Sequence, residues 1–211
     1  IQKFAEAFTH ADTGVFTLVK NLSIKPADVS REYIQGKRKK YYSPMKYLVL
    51  VVTISALLTL HYEKYNVPFE PAFMPDDNMD DMVEMQYFNH NYYKYLIFLA
   101  IPLASLVTML VFRNSGLNFS ENLVFNAYII SQVILLHTIF VTPLLIYSST
   151  WDDWIIFIYM ALAAFYMLWS YTVFFGGKWW KALIQSIFAL AVFTIAYNLI
   201  SHNLYYLLGK K

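Results

Sequence analysis

His137 is the first residue whose chemistry needs an account. It falls within residues 122–146, a run without formal charge, three turns beyond Asn126 and on nearly the same face of a helix. An ionisable ring at such depth is a functional candidate, as a proton relay or as part of a solute path. The competing reading is a neutral imidazole hydrogen-bonded across a helix interface. His61, His90 and His202 fall near the ends of three other uncharged runs, and three imidazoles suit one divalent ion, although histidine is also ordinary at such boundaries. Asp76, Asn78 and Asp80 have the one-three-five spacing of a calcium loop, but Asp81 stands where that loop needs glycine and Tyr87 where it needs glutamate. Met74, Met79, Met82 and Met85 suit a soft ion such as Cu(I), against the simpler reading of a Met-lined amphipathic helix. The three histidines are weak candidates only, so no metal and no cofactor is assigned.

The second constellation is basic and aromatic: Arg31, Tyr33, Lys37, Arg38, Lys39, Lys40 and Tyr41, within REYIQGKRKKYYSP. Consecutive cations beside tyrosines suit an anionic lipid leaflet or a partner protein, and the same cluster also serves as a topology determinant. The patch is too short to point to nucleic acid. Thr194 and Asn198 begin a polar stripe continued by Ser201, His202 and Tyr205, and Ser131, Thr138 and Thr142 form another. Such stripes glue helices together or line a path; glue is favoured, because the uncharged runs hold no carboxylate or cation for ion coupling. The chain has no nucleophile elbow, phosphate loop, His-Glu-x-x-His or paired carboxylates within those runs, so no catalytic residue is nominated and a non-enzyme is expected.

The elements that position these residues follow from where charge is missing. In 211 residues the chain is 58% hydrophobic and 14% charged, far from the balance of a water-soluble fold. Residues 47–62, 95–112, 122–146, 154–175 and 182–208 contain no Asp, Glu, Lys or Arg. A helix needs roughly 20 residues to cross a hydrocarbon core about 30 Å thick, and the first run nears that length if Pro44 is its first helical residue. The expected fold is all-α: a polytopic transmembrane bundle of about five spans, residues 44–211, preceded at 1–43 by a cytoplasmic amphipathic helical segment. Four spans is the main competitor. With the block around Lys37–Lys40 inside, twelve of the sixteen cations lie inside, and the acidic residues 76–84 and 152–153 lie outside. The chain has no cysteine, hence neither disulfides nor thiolate metal sites within it.

Within 1–43, Ile1, Phe4, Ala5 and Phe8 recur at helical spacing, then Val15, Phe16, Val19 and Leu22, which predicts two short helices lying in the headgroup layer. A third should start at Pro26 and stop at Gly36, with Val29 and Tyr33 on one side. The acidic external loop at 63–92 should form a helix from Met79 onward, Asn118 and Glu121 a capping box, Pro102 and Pro143 kinks, and Trp151, Trp154, Trp179 and Trp180 interface anchors.

His10, Asp12, Gly14 and Thr17, followed by Pro26, Arg31, Glu32, Tyr33, Gly36, Lys37, Arg38, Tyr41 and Pro44, resemble the opening signature of a bacterial membrane family, domain of unknown function 3667. Residues 101–128 resemble the family more loosely, with Asn122 where many relatives have His. The resemblance implies a bacterial inner-membrane location and a Cys-rich zinc ribbon ahead of Ile1, and carries no catalytic residue across. The expectation is a non-enzymatic accessory, scaffolding or assembly subunit in contact with membrane lipids and other membrane proteins. The alternatives are a transporter or channel for a small or lipidic solute, or a metal-handling membrane protein.

Overall fold

The computed structural model describes residues 14–64, 79–147 and 152–209, and these residues are helical with no strand among them. Helix α1 covers Gly14–Ile24. It is followed by α2 (Pro26–Ile34), α3 (Pro44–Lys64), α4 (Met79–Val111), α5 (Phe119–Leu136), α6 (Thr142–Tyr147), α7 (Asp152–Phe175) and α8 (Trp179–Leu204). A π-helical turn, His137–Val141, joins α5 to α6, and another, Tyr205–Gly209, continues α8. Three helices are long and apolar enough to cross a membrane: Phe119–Leu145, Trp154–Phe175 and Trp179–Leu207. The described parts of α3 and α4 add shorter apolar helices, Pro44–Leu58 and Tyr95–Val111.

Local signals set the boundaries. Pro26 and Pro44 open α2 and α3, where the missing N–H costs nothing. Past α2 the chain turns at Gly36, whose φ of 96° is left-handed backbone that a side chain would strain. Between α4 and α5 a turn of 3-10 helix, Arg113–Ser115, ends on left-handed Gly116, and Asn118 then caps α5. The capping box is complete: the Glu121 N–H donates to Asn118 Oδ1 at 2.9 Å, and the Asn118 N–H donates to Glu121 Oε2 at 2.8 Å. Helix α4 runs 33 residues through Pro102, so the helix expected from Met79 is continuous with the second uncharged run.

Helix α5 is the axis of the bundle. It packs against α2, α3, α4 and α7, while α8 closes the ring between α4 and α7. Phe125, Ala127, Tyr128 and Ile129 are fully buried, whereas α7 and α8 turn most of their large apolar side chains outward. An apolar exterior around a packed interior is what hydrocarbon solvent allows.

Helices α1 and α2, ahead of Pro44, pack into this interior. Leu18 and Leu22 of α1 are completely buried, in one cluster with Val29, Tyr47, Val51, Tyr128 and Leu135. Phe16, on the apolar side of the helix expected in the headgroup layer, is 76% exposed. The buried face is the Leu18–Leu22 pair, four residues apart, which is the spacing that stacks two side chains over one groove. Val29 and Tyr33 of α2 share one side as the spacing predicted, and that side faces the bundle: Val29 is buried, and Tyr33 meets Tyr128 edge-on with centroids 5.7 Å apart. The expected helix around Ile1–Phe8, Trp151, and the calcium-like residues Asp76 and Asn78 lie outside the described residues.

Candidate functional site

The end of the bundle where α2 docks gathers most of the polar chemistry. Arg31 leaves α2 and donates from Nη2 to the carbonyls of Val173 (2.5 Å) and Phe174 (2.7 Å), the last turn of α7. Those carbonyls have no partner within their own helix, and the guanidinium also answers the negative end of the helix dipole. Its carbon lies 5.8 Å from the centre of the Phe174 ring. Gly176 follows with φ 66°, and a Cβ there would stand 3.9 Å from Arg31 Nη2, so the turn leaves room for the clamp.

On the other side of α2, Glu32 collects the basic block. Lys40 Nζ donates to its carboxylate at 2.6 Å, the Tyr41 hydroxyl at 2.7 Å and Lys37 Nζ at 3.3 Å. These donors hold the Glu32 carboxyl down to about 2, the Lys40 contact contributing most. In return the carboxylate raises Lys40 to about 12, and partial burial raises Tyr41. Arg38 stacks over Tyr33 at 5.9 Å, and the Tyr128 hydroxyl donates to the Tyr42 carbonyl at 2.6 Å. The loop between α2 and α3 is therefore tied from within, and Lys37, Arg38 and Lys39 project outward.

Because the folded Glu32 pKa lies below its ordinary 4.5, its contribution to stability is complete above pH 4.5 and is lost as pH falls toward 2. Thermal midpoints in detergent should stay flat from neutral pH to about 5 and then drop for the wild type more steeply than for Glu32→Gln. Parallel wild-type and variant curves down to about pH 3 would refute the network.

Deeper in the bundle two closed amide networks appear. Asn126 donates to Thr108 Oγ1 (3.0 Å) and accepts from the buried Tyr171 hydroxyl (2.6 Å), joining α4, α5 and α7. Gln132 accepts from Tyr47 (2.6 Å) and donates to Ser23 Oγ (2.8 Å) and the Val19 carbonyl (3.4 Å), joining α1, α3 and α5. Gln132 and Ser23 were not singled out from the sequence. The available signal was a fully polar amide in the middle of the most hydrophobic run that α5 contains.

His137 faces α7 as Asn126 does, its ring edge-on to Tyr159 at 4.9 Å. It opens the π-turn, where Thr142 N–H reaches back five residues to the His137 carbonyl. The Tyr159 hydroxyl donates to the Val133 carbonyl (3.0 Å) and Thr138 Oγ1 to the Ile134 carbonyl (2.8 Å), so side chains supplement the backbone bonding where the ladder slips. Thr194 and Asn198, by contrast, are exposed on α8 and bond back to its own carbonyls, Leu190 and Thr194. Their stripe divides: only Ser201 and Tyr205 are buried, the latter against Phe88. His202 is exposed beside Tyr206, and the side chains of His61 and His90 lie outside the described residues. Among the described residues no three of His, Asp and Glu come together as a metal site would require.

The geometry thus centres on α1, α2, the basic loop and the first turns of α3. Residues 12–56 match the model of a family described as a protein of unknown function, DUF3667. The matched stretch takes in Arg31, the Glu32 network, Tyr47 and both helices docked under α5, and the looser resemblance at 101–128 lies beyond it. No curated protein and no solved structure matches the chain.

Proposed function

We propose that the chain crosses a bacterial cytoplasmic membrane five times, with residues 14–43 on the cytoplasmic side, and acts without catalysis as an accessory or assembly subunit whose basic end receives a partner. The reading rests on one observation: the basic loop is fixed to the end of the bundle by Arg31, Glu32, Tyr41 and Tyr128, which presents Lys37, Arg38 and Lys39 on a rigid base. Preorganised charge binds with less ordering cost than a flexible tail.

The placement of the helices supports the five-span count. Bonds from Asn126 to Thr108, from Gln185 to the Val111 carbonyl and from Arg31 to the end of α7 put the starts of α5 and α8 and the ends of α4 and α7 beside α2. Lys46, Arg113, Lys178 and Lys181 therefore share the end that carries the basic loop, as cytoplasmic ends do. Tyr171 bonds to Asn126 and Tyr47 to Gln132, which favours a sealed bundle over a solute path.

Extraction in a mild detergent should recover the chain with other membrane proteins, and the double replacement R38E/K39E should strip them while leaving the helical circular dichroism unchanged. Recovery of a monomer alone, or a complex indifferent to the charge reversal, would overturn the reading.

A further inference from the structure

Helices α7 and α8 both turn a broad face outward, but what they show there differs. From Trp154 to Val173 every exposed residue of α7 is apolar, a surface that lipid chains cover as readily as another helix would. Helix α8 begins the same way, with Ile184, Ile187 and Phe188 exposed, and then exposes Thr194 and Asn198. The other amides of the long helices are placed otherwise: Asn126, Gln132 and Gln185 each reach a neighbouring helix.

Asn198 lies within the apolar layer and not at its edge. Tyrosine and tryptophan mark the two interfaces, here Trp180 at one end of α8 and Tyr205 at the other. At 1.5 Å per residue Asn198 is about 27 Å beyond Trp180 and about 10 Å short of Tyr205, hence about 8 Å from the midpoint between them. The half-thickness of the hydrocarbon is about 15 Å. One N–H of the amide donates to the Thr194 carbonyl of its own helix at 2.9 Å. Its second N–H and its oxygen have no partner among the described residues, and hydrocarbon supplies neither donor nor acceptor.

A second copy of the chain answers both groups at once. An amide is donor and acceptor together, so two amides related by a two-fold axis exchange a pair of hydrogen bonds. Copies inserted the same way up can be related only by an axis along the membrane normal. Their α8 helices then run parallel, and Asn198 meets its counterpart at the same depth without any adjustment of register. The flanking residues fit such a pair. Ile184, Phe188, Ala191, Ile195 and Asn198 follow one another at spacings of four and three, the seam of a left-handed helix pair, and all are exposed. Ala191, one heptad before Asn198, is small enough to let the two backbones approach.

We propose that α8 pairs with α8 of a second copy along this seam, the two Asn198 amides hydrogen-bonded to each other within the hydrocarbon. The inference rests on the membrane placement of α8 and goes beyond the partner received at the basic loop.

The chain has no cysteine, so single cysteines report the contact directly. In membranes treated with copper phenanthroline, Ala191→Cys should form a disulfide-linked dimer, whereas Ala164→Cys, exposed at a comparable depth on α7, should not. In mild detergent Asn198→Leu should raise the dissociation constant of the dimer about tenfold, the effect of an interhelical amide bond in a membrane. Asn198→Gln keeps the amide and should retain most of the affinity, and Ala191→Phe should leave a monomer. These side chains point outward, so the helical circular dichroism and thermal unfolding of each monomer should match the wild type.

Equal cross-linking at positions 191 and 164, or a dimer indifferent to Asn198→Leu, would overturn the pairing. An Ala191→Cys adduct with a different protein would give the face to that protein, with the same consequence. R38E/K39E should keep the cross-link at 191, so the basic-loop reading can fail without the α8 pair failing. Loss of the chain from carbonate-washed membranes would remove the membrane placement itself.

Discussion

Arg31→Ala should lower the stability of the detergent-solubilised bundle by about 3 kcal/mol. Charged hydrogen bonds contribute roughly 1.5–3 kcal/mol each, and Arg31 makes two, at 2.5 and 2.7 Å, to carbonyls that α7 cannot satisfy itself. Interaction with the helix dipole adds a further 0.3–1 kcal/mol or so. Partial exposure of the guanidinium pulls the sum back toward the lower end.

The same replacement leaves the carbonyls of Val173 and Phe174 without their partner, at the end of α7 where Phe125 stacks on Phe174. Arg31→Lys should recover less than half of the loss, because one ammonium cannot span two carbonyls as the guanidinium fork does. Equilibrium unfolding in mixed detergent micelles gives the comparison. If Arg31→Ala unfolded within about 0.5 kcal/mol of the wild type, the value expected of an ordinary surface change, the clamp would be ornamental.

How much of this was legible in the sequence depends on which physical signal carried each part. Proline and glycine act locally, so Pro26, Gly36, Pro44 and the Asn118–Glu121 box marked helix ends correctly. Absence of charge marked the long helices for a similar reason, since the cost of a charge in hydrocarbon is paid residue by residue. The location of α1 was not legible in the same way. Its hydrophobic spacing is equally consistent with a helix on a lipid surface and one packed on other helices, and periodicity alone does not say that Leu18 and Leu22 find partners in the bundle while Phe16 stays exposed.

The polar constellations divide along the same line. Asn126 and His137 were correctly placed on one face, because they lie on one unbroken helix until the π-turn begins. Thr194 and Asn198 also share a face, yet that face is turned outward, and only the packing of α8 against α4 and α7 decides this. Arg31 stood out as one cation among several. Its distinct role depends on the carbonyls of residues 173 and 174, more than 140 positions away, which no local pattern encodes.

Gln132 carries the matching prediction for the interior. It is fully buried, and its side chain is where α1, α3 and α5 meet: Tyr47 donates to its oxygen, and its nitrogen donates to Ser23 and to the Val19 carbonyl. Gln132→Leu keeps the bulk and strands the Tyr47 hydroxyl in an apolar cluster. Interhelical hydrogen bonds in membranes average only about 0.6 kcal/mol and reach about 1.7, so two good bonds plus a stranded hydroxyl should cost about 2 kcal/mol. Tyr47→Phe alone should cost about 1 kcal/mol, since it removes a donor but leaves the amide its other partners. The double replacement, with both ends of the bond apolar, should recover part of the loss rather than add to it. Because the Ser23 hydroxyl has its own bond to the Val19 carbonyl at 2.9 Å, it does not need the amide, and Ser23→Ala should be the mildest of the set. Strict additivity of Tyr47→Phe and Gln132→Leu would mean that the two side chains do not act as one contact between α3 and α5.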